Sequence, residues 1–169
     1  LELGGKNPQV VCADADFDLA LKETLRGAFI NAGQVCTGVS RVLVERPLYA
    51  RYVEALRDKV EALTVGPGLE NPDLGPLVSE AHRRTVMDYT AIAQAEGARL
   101  VSGGRVPAGL ERGWFYRPTV FDQVTPAMRI AREEVFGPLL VVLPFDTDDE
   151  ALEIANGTEF GLTAGIFTR

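Results

Sequence analysis

Histidine and cysteine are scarce in this sequence. Its 169 residues include one histidine, His82, and two cysteines, Cys12 and Cys36. A disulfide framework or a zinc site needs more ligands at closer spacing, so neither is expected, and chemistry that requires a pair of histidines is excluded. No stretch approaches the roughly 18 consecutive apolar residues of a membrane-spanning helix. Acidic residues outnumber basic ones by 24 to 17, giving a net charge of −7. This charge argues against a nucleic acid or an anionic membrane surface as the main partner.

The sequence does contain enough apolar material for a full core, 46% of its residues, in segments that alternate between strand-like and helix-like patterns. Strands are predicted over 8–12, 39–44, 99–101, 115–121, 139–145 and 162–168. Pro118 favours a sheet edge or a bulge for the fourth of them. Helices are predicted over 17–30, 48–63, 80–96 and 148–155. Strands separated by helices predict one α/β domain around a mostly parallel or mixed sheet. The sequence begins without Met and stops after an apolar run, so we expect it to be part of a longer chain.

The two cysteines have different sequence surroundings. Cys36 lies in the segment GQVCTG, residues 33–38, between a predicted helix and a predicted strand. The flanking glycines let a ligand approach and leave backbone N–H groups free, as a thiolate nucleophile with an oxyanion site requires. Cys12 lies in an apolar strand and is interpreted as an inert core thiol. A buried structural role is the alternative for Cys36.

If Cys36 is a nucleophile, a carboxylate is a better candidate than histidine for its proton-transfer partner. His82 falls on the surface of a predicted helix, which disfavours a Cys–His pair. Glu2 stands between two leucines and precedes Gly4-Gly5. Burial there would raise the pKa of Glu2 toward neutrality and suit it to general-base catalysis. A solvated charge is the alternative for Glu2.

Two further segments carry candidate binding groups. Residues 3–7 (LGGKN) are similar to part of a phosphate-binding P-loop, but they lack the upstream glycine and have Asn7 where Ser or Thr would hold magnesium. No Gly-x-Gly-x-x-Gly occurs between a strand and a helix, so the chain has no recognisable dinucleotide site of its own. Residues 132–138 (REEVFGP) place Glu134 and Phe136 in a loop that enters a strand, and such loops often bind ligands. A charged helix end followed by a core phenylalanine is the alternative.

Four segments, in this order, resemble motifs of the aldehyde dehydrogenase superfamily, and the resemblance runs the length of the chain. Residues 1–8 (LELGGKNP) resemble the glutamate signature, and residues 29–40 (FINAGQVCTGVS) resemble the cysteine signature. Residues 132–138 are similar to the Glu-x-Phe-Gly-Pro motif, and residues 156–164 (NGTEFGLTA) to a later family motif. Four motifs in register argue strongly against a chance match.

The resemblance implies a role for each matching residue. Cys36 matches the nucleophile that attacks the aldehyde carbonyl, and its backbone N–H matches a donor to the oxyanion. Glu2 matches the base that activates water for deacylation. Glu134 matches the residue that hydrogen-bonds the nicotinamide ribose, Phe136 the aromatic beside the nicotinamide, and Leu3 a position next to the nicotinamide amide. The implied reaction oxidises an aldehyde to a carboxylic acid with NAD or NADP, through a cysteine thioester.

The resemblance also implies a three-layer α/β catalytic domain within a longer protein. We expect residues 1–169 to be a fragment comprising the catalytic (thiol) domain, without the coenzyme-binding Rossmann region and the oligomerisation strands. The fragment alone is expected to be inactive. The complete protein is expected to be a cytoplasmic homodimer or homotetramer that acts on a small-molecule aldehyde and binds neither nucleic acid nor a membrane.

Two other functions stay open. A CoA-acylating aldehyde dehydrogenase would keep the same scaffold, but acylating members can dispense with a water-activating base, so Glu2 counts against it. A non-catalytic structural protein could retain the fold, but it would have no reason to keep both Cys36 and Glu2. The choice between NAD and NADP is expected to depend on the Rossmann region.

Overall fold

The sheet of this protein contains six strands in the computed structural model, which describes residues 2–169. The strands are β1 (Asn7–Val11), β2 (Val39–Glu45), β3 (Arg99–Ser102), β4 (Thr119–Asp122), β5 (Leu139–Phe145) and β6 (Gly165–Phe167). They are ordered β3-β4-β5-β2-β1-β6. β3 pairs antiparallel with β4, and every other neighbouring pair is parallel. The mostly parallel sheet that the sequence predicts is therefore confirmed.

Three of the helices begin after a side chain that the sequence marks as a cap. The helices are α1 (Phe17–Phe29), α2 (Arg46–Glu61), α3 (Glu80–Ala95), α4 (Arg129–Arg132) and α5 (Asp148–Asn156). Asp16, Ser79 and Thr147 each accept a backbone N–H of the first turn of α1, α3 and α5, and Pro47 stands in the first turn of α2. The four predicted helices are confirmed. α4 was not predicted, because a four-residue helix has no periodicity to detect.

Both faces of the central strands are covered. Leu140, Val141, Val142 and Leu143 of β5 are consecutive and none is more than 1% exposed. Successive side chains of a strand point to opposite faces, so helices must pack on each side of the sheet. The three-layer arrangement is confirmed.

Two predicted strands are too long. The strand predicted over 115–121 begins only after Pro118, and β4 lies inside the sheet between β3 and β5 rather than at its edge. Phe115 and Tyr116 are buried without forming strand pairs; apolar periodicity cannot distinguish such a segment from a strand. The strand predicted over 162–168 is reduced to β6, which forms one edge of the sheet.

Candidate active site

The four segments that resemble family motifs each come before a parallel strand. Residues 2–6 precede β1, residues 34–38 precede β2, residues 134–138 precede β5 and residues 156–164 precede β6. These strands are neighbours in the order β5-β2-β1-β6 and run in one direction. The segments therefore meet at the amino-terminal edge of the sheet, although open α/β sheets usually bind ligands at the carboxyl-terminal edge.

Cys36 is an exposed free thiol on a sharply turned loop. After α1 ends, residues 31–33 adopt left-handed φ values of 51°, 54° and 71°, which reverse the chain. The Gly38 N–H then donates to the Val35 carbonyl at 2.9 Å and closes a turn around the cysteine. Cys12 is half-buried, and burial and nearby acidic side chains raise the pKa of its thiol. The sequence predicts that Cys36 can be approached, and its exposure agrees with this. The alternative prediction, a buried structural cysteine, is wrong.

Gly33 brings the Cys36 loop against the turn before β5. A Cβ atom on Gly33 would lie 2.2 Å from the Gly137 carbonyl oxygen, and a Cβ atom on Gly137 would lie 2.6 Å from Cγ2 of Val86. Neither position has room for a side chain. The two loops are thus in direct backbone contact.

Glu134 is bound to the segment that precedes β1. Its Oε1 accepts the Gly5 N–H at 2.9 Å. A Cβ atom on Gly4 would lie 2.6 Å from the second carboxylate oxygen, Oε2. The glycine at position 4 therefore leaves space for the carboxylate, and Oε2 is left to accept from another donor.

Glu133, the neighbouring carboxylate, is used for structure instead. It accepts two hydrogen bonds from the Arg129 guanidinium, each at 2.8 Å, and one from the Tyr89 hydroxyl at 2.6 Å. These donors lower the pKa of Glu133 to about 2. Of the paired carboxylates, Glu134 is the one that joins the candidate site.

Phe136 presents its ring from a constrained backbone. The residue is 41% exposed and has a φ of 57°. His82 Nε2 lies 2.7 Å from the Phe136 carbonyl oxygen, and the two rings pack edge to face with centroids 6.2 Å apart. A carbonyl only accepts, so Nε2 carries the hydrogen in this contact. The core-phenylalanine alternative is wrong. His82 lies on the surface of α3, as the sequence predicts, and there it contacts Phe136.

Glu2 and Leu3 are both exposed. The burial of Glu2 that its leucine neighbours suggested is wrong for the described residues, since Leu3 is itself 59% exposed and Leu1 lies outside them. Apolar neighbours in sequence do not show whether another segment covers a side chain. The carboxylate of Glu2 is accessible to water, as a water-activating base must be.

The P-loop-like residues pack against protein. A Cβ atom on Gly5 would lie 2.5 Å from the Cys36 carbonyl oxygen, so this glycine allows the cysteine loop to approach. Lys6 is only 3% exposed. Its burial and the nearby charge of Arg41 lower the pKa of its amine to about 7. A phosphate cradle is therefore not formed here.

Three residues of this edge have no role predicted from the sequence: Lys6, Asn7 and His82. Lys6 directly precedes β1 and Asn7 is its first residue; both are buried polar residues, and buried polar groups require partners. That polarity was the available signal for both. The contact between His82 and Phe136 joins residues 54 positions apart, and no local pattern encodes it.

A groove of about 500 Å³ lies beside Glu134 at this edge of the sheet, and Phe160 and Glu159 also line it. Phe136, in the same loop as Glu134, exposes an aromatic face.

Among residues 2–169 no group of three or more His, Cys, Asp or Glu side chains is placed to hold a metal ion. Within the same residues, no helix combines the length and the apolarity needed to cross a membrane.

Known proteins match the chain over its full length. The family model described as "Aldehyde dehydrogenase family" matches residues 1–169. Betaine aldehyde dehydrogenase from Mesorhizobium japonicum is 45% identical over 172 residues, covering 100% of this chain and 35% of the relative. A crystal structure of betaine aldehyde dehydrogenase from Staphylococcus aureus in complex with NAD+ has a TM-score of 0.98 and 41% identity, covering 100% of this chain and 34% of that one. A crystal structure of aldehyde dehydrogenase from Bartonella henselae has a TM-score of 0.96 and 46% identity, covering 100% and 36%. The chain spans about a third of the length of the curated relatives it matches.

Proposed function

Because the chain belongs to the aldehyde dehydrogenase family, we propose that it carries the thiol-bearing catalytic domain of an enzyme that oxidises an aldehyde to a carboxylic acid with NAD(P)+. The observation that carries this proposal is the meeting of an exposed free thiol, Cys36, with the loop of Glu134 and Phe136 at one edge of the sheet. In this proposal Cys36 is the nucleophile and Glu2 is the general base.

The proposed reaction begins with the Cys36 thiolate. It adds to the aldehyde carbonyl, a C–S bond forms, and the C=O π electrons move to oxygen, where backbone N–H donors including that of Cys36 stabilise the charge. Bound NAD(P)+ supplies the hydride acceptor when this hemithioacetal collapses to a thioester. Glu2 then takes a proton from water, which attacks the thioester carbonyl, and the C–S bond breaks to release the acid and the thiolate. Cysteine suits this reaction because its thiolate is a strong nucleophile near neutral pH and a better leaving group than an alkoxide.

We propose that Glu134, Phe136 and Leu3 hold the nicotinamide end of the cofactor. The free Oε2 of Glu134 accepts a ribose hydroxyl, the exposed ring of Phe136 lies beside the nicotinamide, and the main chain at Leu3 lies near its amide. The complex of the Staphylococcus aureus relative with NAD+ supports NAD for this chain. The main cofactor-binding region lies outside these residues.

The length of the relatives supports a fragment. We propose that residues 1–169 are inactive alone, and that the coenzyme-binding Rossmann region and the oligomerisation strands of a homodimer or homotetramer lie elsewhere in a longer enzyme. Both cysteines are free thiols, which fits a cytoplasmic, reducing compartment. The names of the relatives make betaine aldehyde the first substrate to test.

The nucleophile is tested with the two cysteines as a matched pair. In the complete enzyme we expect Cys36→Ser to abolish NADH formation and to lose the covalent aldehyde adduct seen by intact-protein mass spectrometry. Cys12→Ser should keep both. An adduct that persists in Cys36→Ser would refute the assignment.

The base is tested by separating the first turnover from later ones. Glu2→Gln should retain a burst of NADH equal to the enzyme concentration, while steady turnover falls, because only deacylation needs the base. Free acid as the product, rather than an acyl-CoA, separates this function from the acylating one. An undiminished steady rate in Glu2→Gln would contradict the proposed role.

The substrate is tested with an isosteric pair. Betaine aldehyde and 3,3-dimethylbutanal differ only in the positive charge of the trimethyl group. A kcat/KM that favours betaine aldehyde indicates a site that recognises the cation, and equal values indicate a site that recognises shape alone.

A further inference from the structure

Asn7, the first residue of β1, connects three of the four segments at the amino-terminal edge. Its Nδ2 donates one hydrogen to the Cys36 carbonyl at 2.7 Å and the other to the Gly38 carbonyl at 2.8 Å. Its Oδ1 accepts the Thr163 N–H at 3.1 Å. The side chain is 3% exposed, so water does not compete for these bonds.

From this geometry we propose that Asn7 is a positioning residue for the nucleophile, a role that rests on the proposed function of Cys36. The amide binds the carbonyls of the two residues that flank Thr37, and so it fixes the 36–37 and 38–39 peptide planes. Since Gly5 lets the same carbonyl of Cys36 approach within contact distance, two residues of the segment that enters β1, Gly5 and Asn7, contact the loop. In this proposal, these contacts set the direction in which the Cys36 thiol and its backbone N–H point.

Only an amide supplies this set of bonds. The position requires two donors toward carbonyls and one acceptor toward an N–H, which matches the Asn side chain. Aspartate has the same shape but no N–H, so it would bring carboxylate oxygens against two carbonyl oxygens. Serine is shorter and has one donor, so it can replace only part of the set. We therefore expect Asn7→Asp to loosen the Cys36 loop more than Asn7→Ser does.

Gln9 offers a matched control. It lies two residues further along β1 and is also 3% exposed, and residues two apart share a face of the strand. Its Nε2 donates to the Ala20 carbonyl at 3.2 Å and to the Thr24 hydroxyl, both on α1. Gln9→Glu thus makes the same amide-to-acid change in the same strand without touching the cysteine loop.

The first measurement is independent of catalysis. Hydrogen–deuterium exchange of the complete enzyme, followed in peptides that contain residues 34–39, should be about tenfold faster in Asn7→Asp than in the wild type, because two hydrogen bonds that hold the loop are lost. Asn7→Ser should give an intermediate rate, and Gln9→Glu should leave these peptides unchanged. Unchanged exchange in Asn7→Asp overturns the proposal.

The second measurement is the pre-steady-state burst of NADH with an aldehyde. Asn7→Asp should slow the burst about tenfold or more, with the KM for NAD within about twofold of wild type, since a misplaced nucleophile affects the chemical step. Asn7→Ser should recover part of the burst rate, and it replaces Asn7→Asp if the latter fails to fold. A loop that exchanges faster while the burst is unchanged also overturns the proposal. A wild-type enzyme that forms no aldehyde adduct refutes the proposed function instead, and the exchange measurement still decides whether Asn7 holds the loop.

Discussion

Replacing Gly33 with alanine tests whether the Cys36 loop and the turn before β5 form one unit. Gly33 has a φ of 71°, and a Cβ atom there would lie 2.2 Å from the Gly137 carbonyl oxygen and 2.4 Å from its carbon. Both are main-chain atoms, so no side-chain rotation relieves the overlap. The substitution must separate the two loops or distort them.

The expected cost has two parts. An L-residue in the left-handed region costs about 1 kcal/mol relative to glycine, and forcing an extra methyl group into a packed contact costs about 1–3 kcal/mol. Gly109 provides the control, because its φ is 80° and nothing lies within 4 Å of a Cβ atom there. Gly109→Ala should therefore lose only the first part. Gly33→Ala should be less stable than Gly109→Ala by about 1–3 kcal/mol.

Urea denaturation followed by circular dichroism measures this difference from the two midpoints at constant slope. The corresponding gap in Tm is about 2–4 °C for each kcal/mol in a domain of this size. Equal stability of Gly33→Ala and Gly109→Ala would refute the backbone contact. A loss of stability without any loss of Cys36 reactivity toward an aldehyde would show that the contact does not shape the site.

Three further outcomes follow from the remaining contacts. The pKa of Lys6 is lowered from 10.5 to about 7, so the unfolded state binds more protons than the folded state between these values. The free energy of unfolding should therefore rise from pH 7 toward pH 10. Lys6→Met should remove that rise, as measured by urea titrations. The pKa of Glu133 is lowered from 4.5 to about 2, so its contribution to the free energy of unfolding is present above pH 4.5 and is lost toward pH 2. Glu133→Gln should reduce this loss of stability at acid pH. The reduction should be small because the side chain is 39% exposed. His82→Phe keeps a ring against Phe136 but removes the hydrogen bond to its carbonyl, and should cost about 1 kcal/mol in the same assay; an unchanged midpoint would contradict that bond.

Local signals predicted the helices well because their ends are encoded by single side chains. Asp16, Ser79 and Thr147 accept the N–H groups that a helix terminus leaves unpaired, and any sequence reading can find them. The sheet edge that Pro118 favoured is wrong. The missing N–H of Pro118 sets where β4 can begin, but which strands lie beside β4 depends on the whole sheet.

The candidate residues could also be identified from the sequence, but their proximity in the fold could not. Gly5 and Glu134 are 129 positions apart and hydrogen-bonded. Each lies before a parallel strand, and the contact follows only once β1, β2 and β5 are known to be neighbours. Strand order depends on how apolar faces pack across the full chain, which periodicity within one segment does not contain.

Backbone contacts, more than packed side chains, hold this edge of the sheet together. Gly33 lies against Gly137, Gly5 lies against the Cys36 carbonyl and donates to Glu134, and Asn7 binds that carbonyl and the Gly38 carbonyl. Main-chain atoms cannot change rotamer, so the contacts of Gly33 with Gly137 and of Gly5 with the Cys36 carbonyl each admit one arrangement of the loops. The Cys36 thiol is therefore exposed while its loop stays fixed, which a site built from mobile surface side chains would not allow.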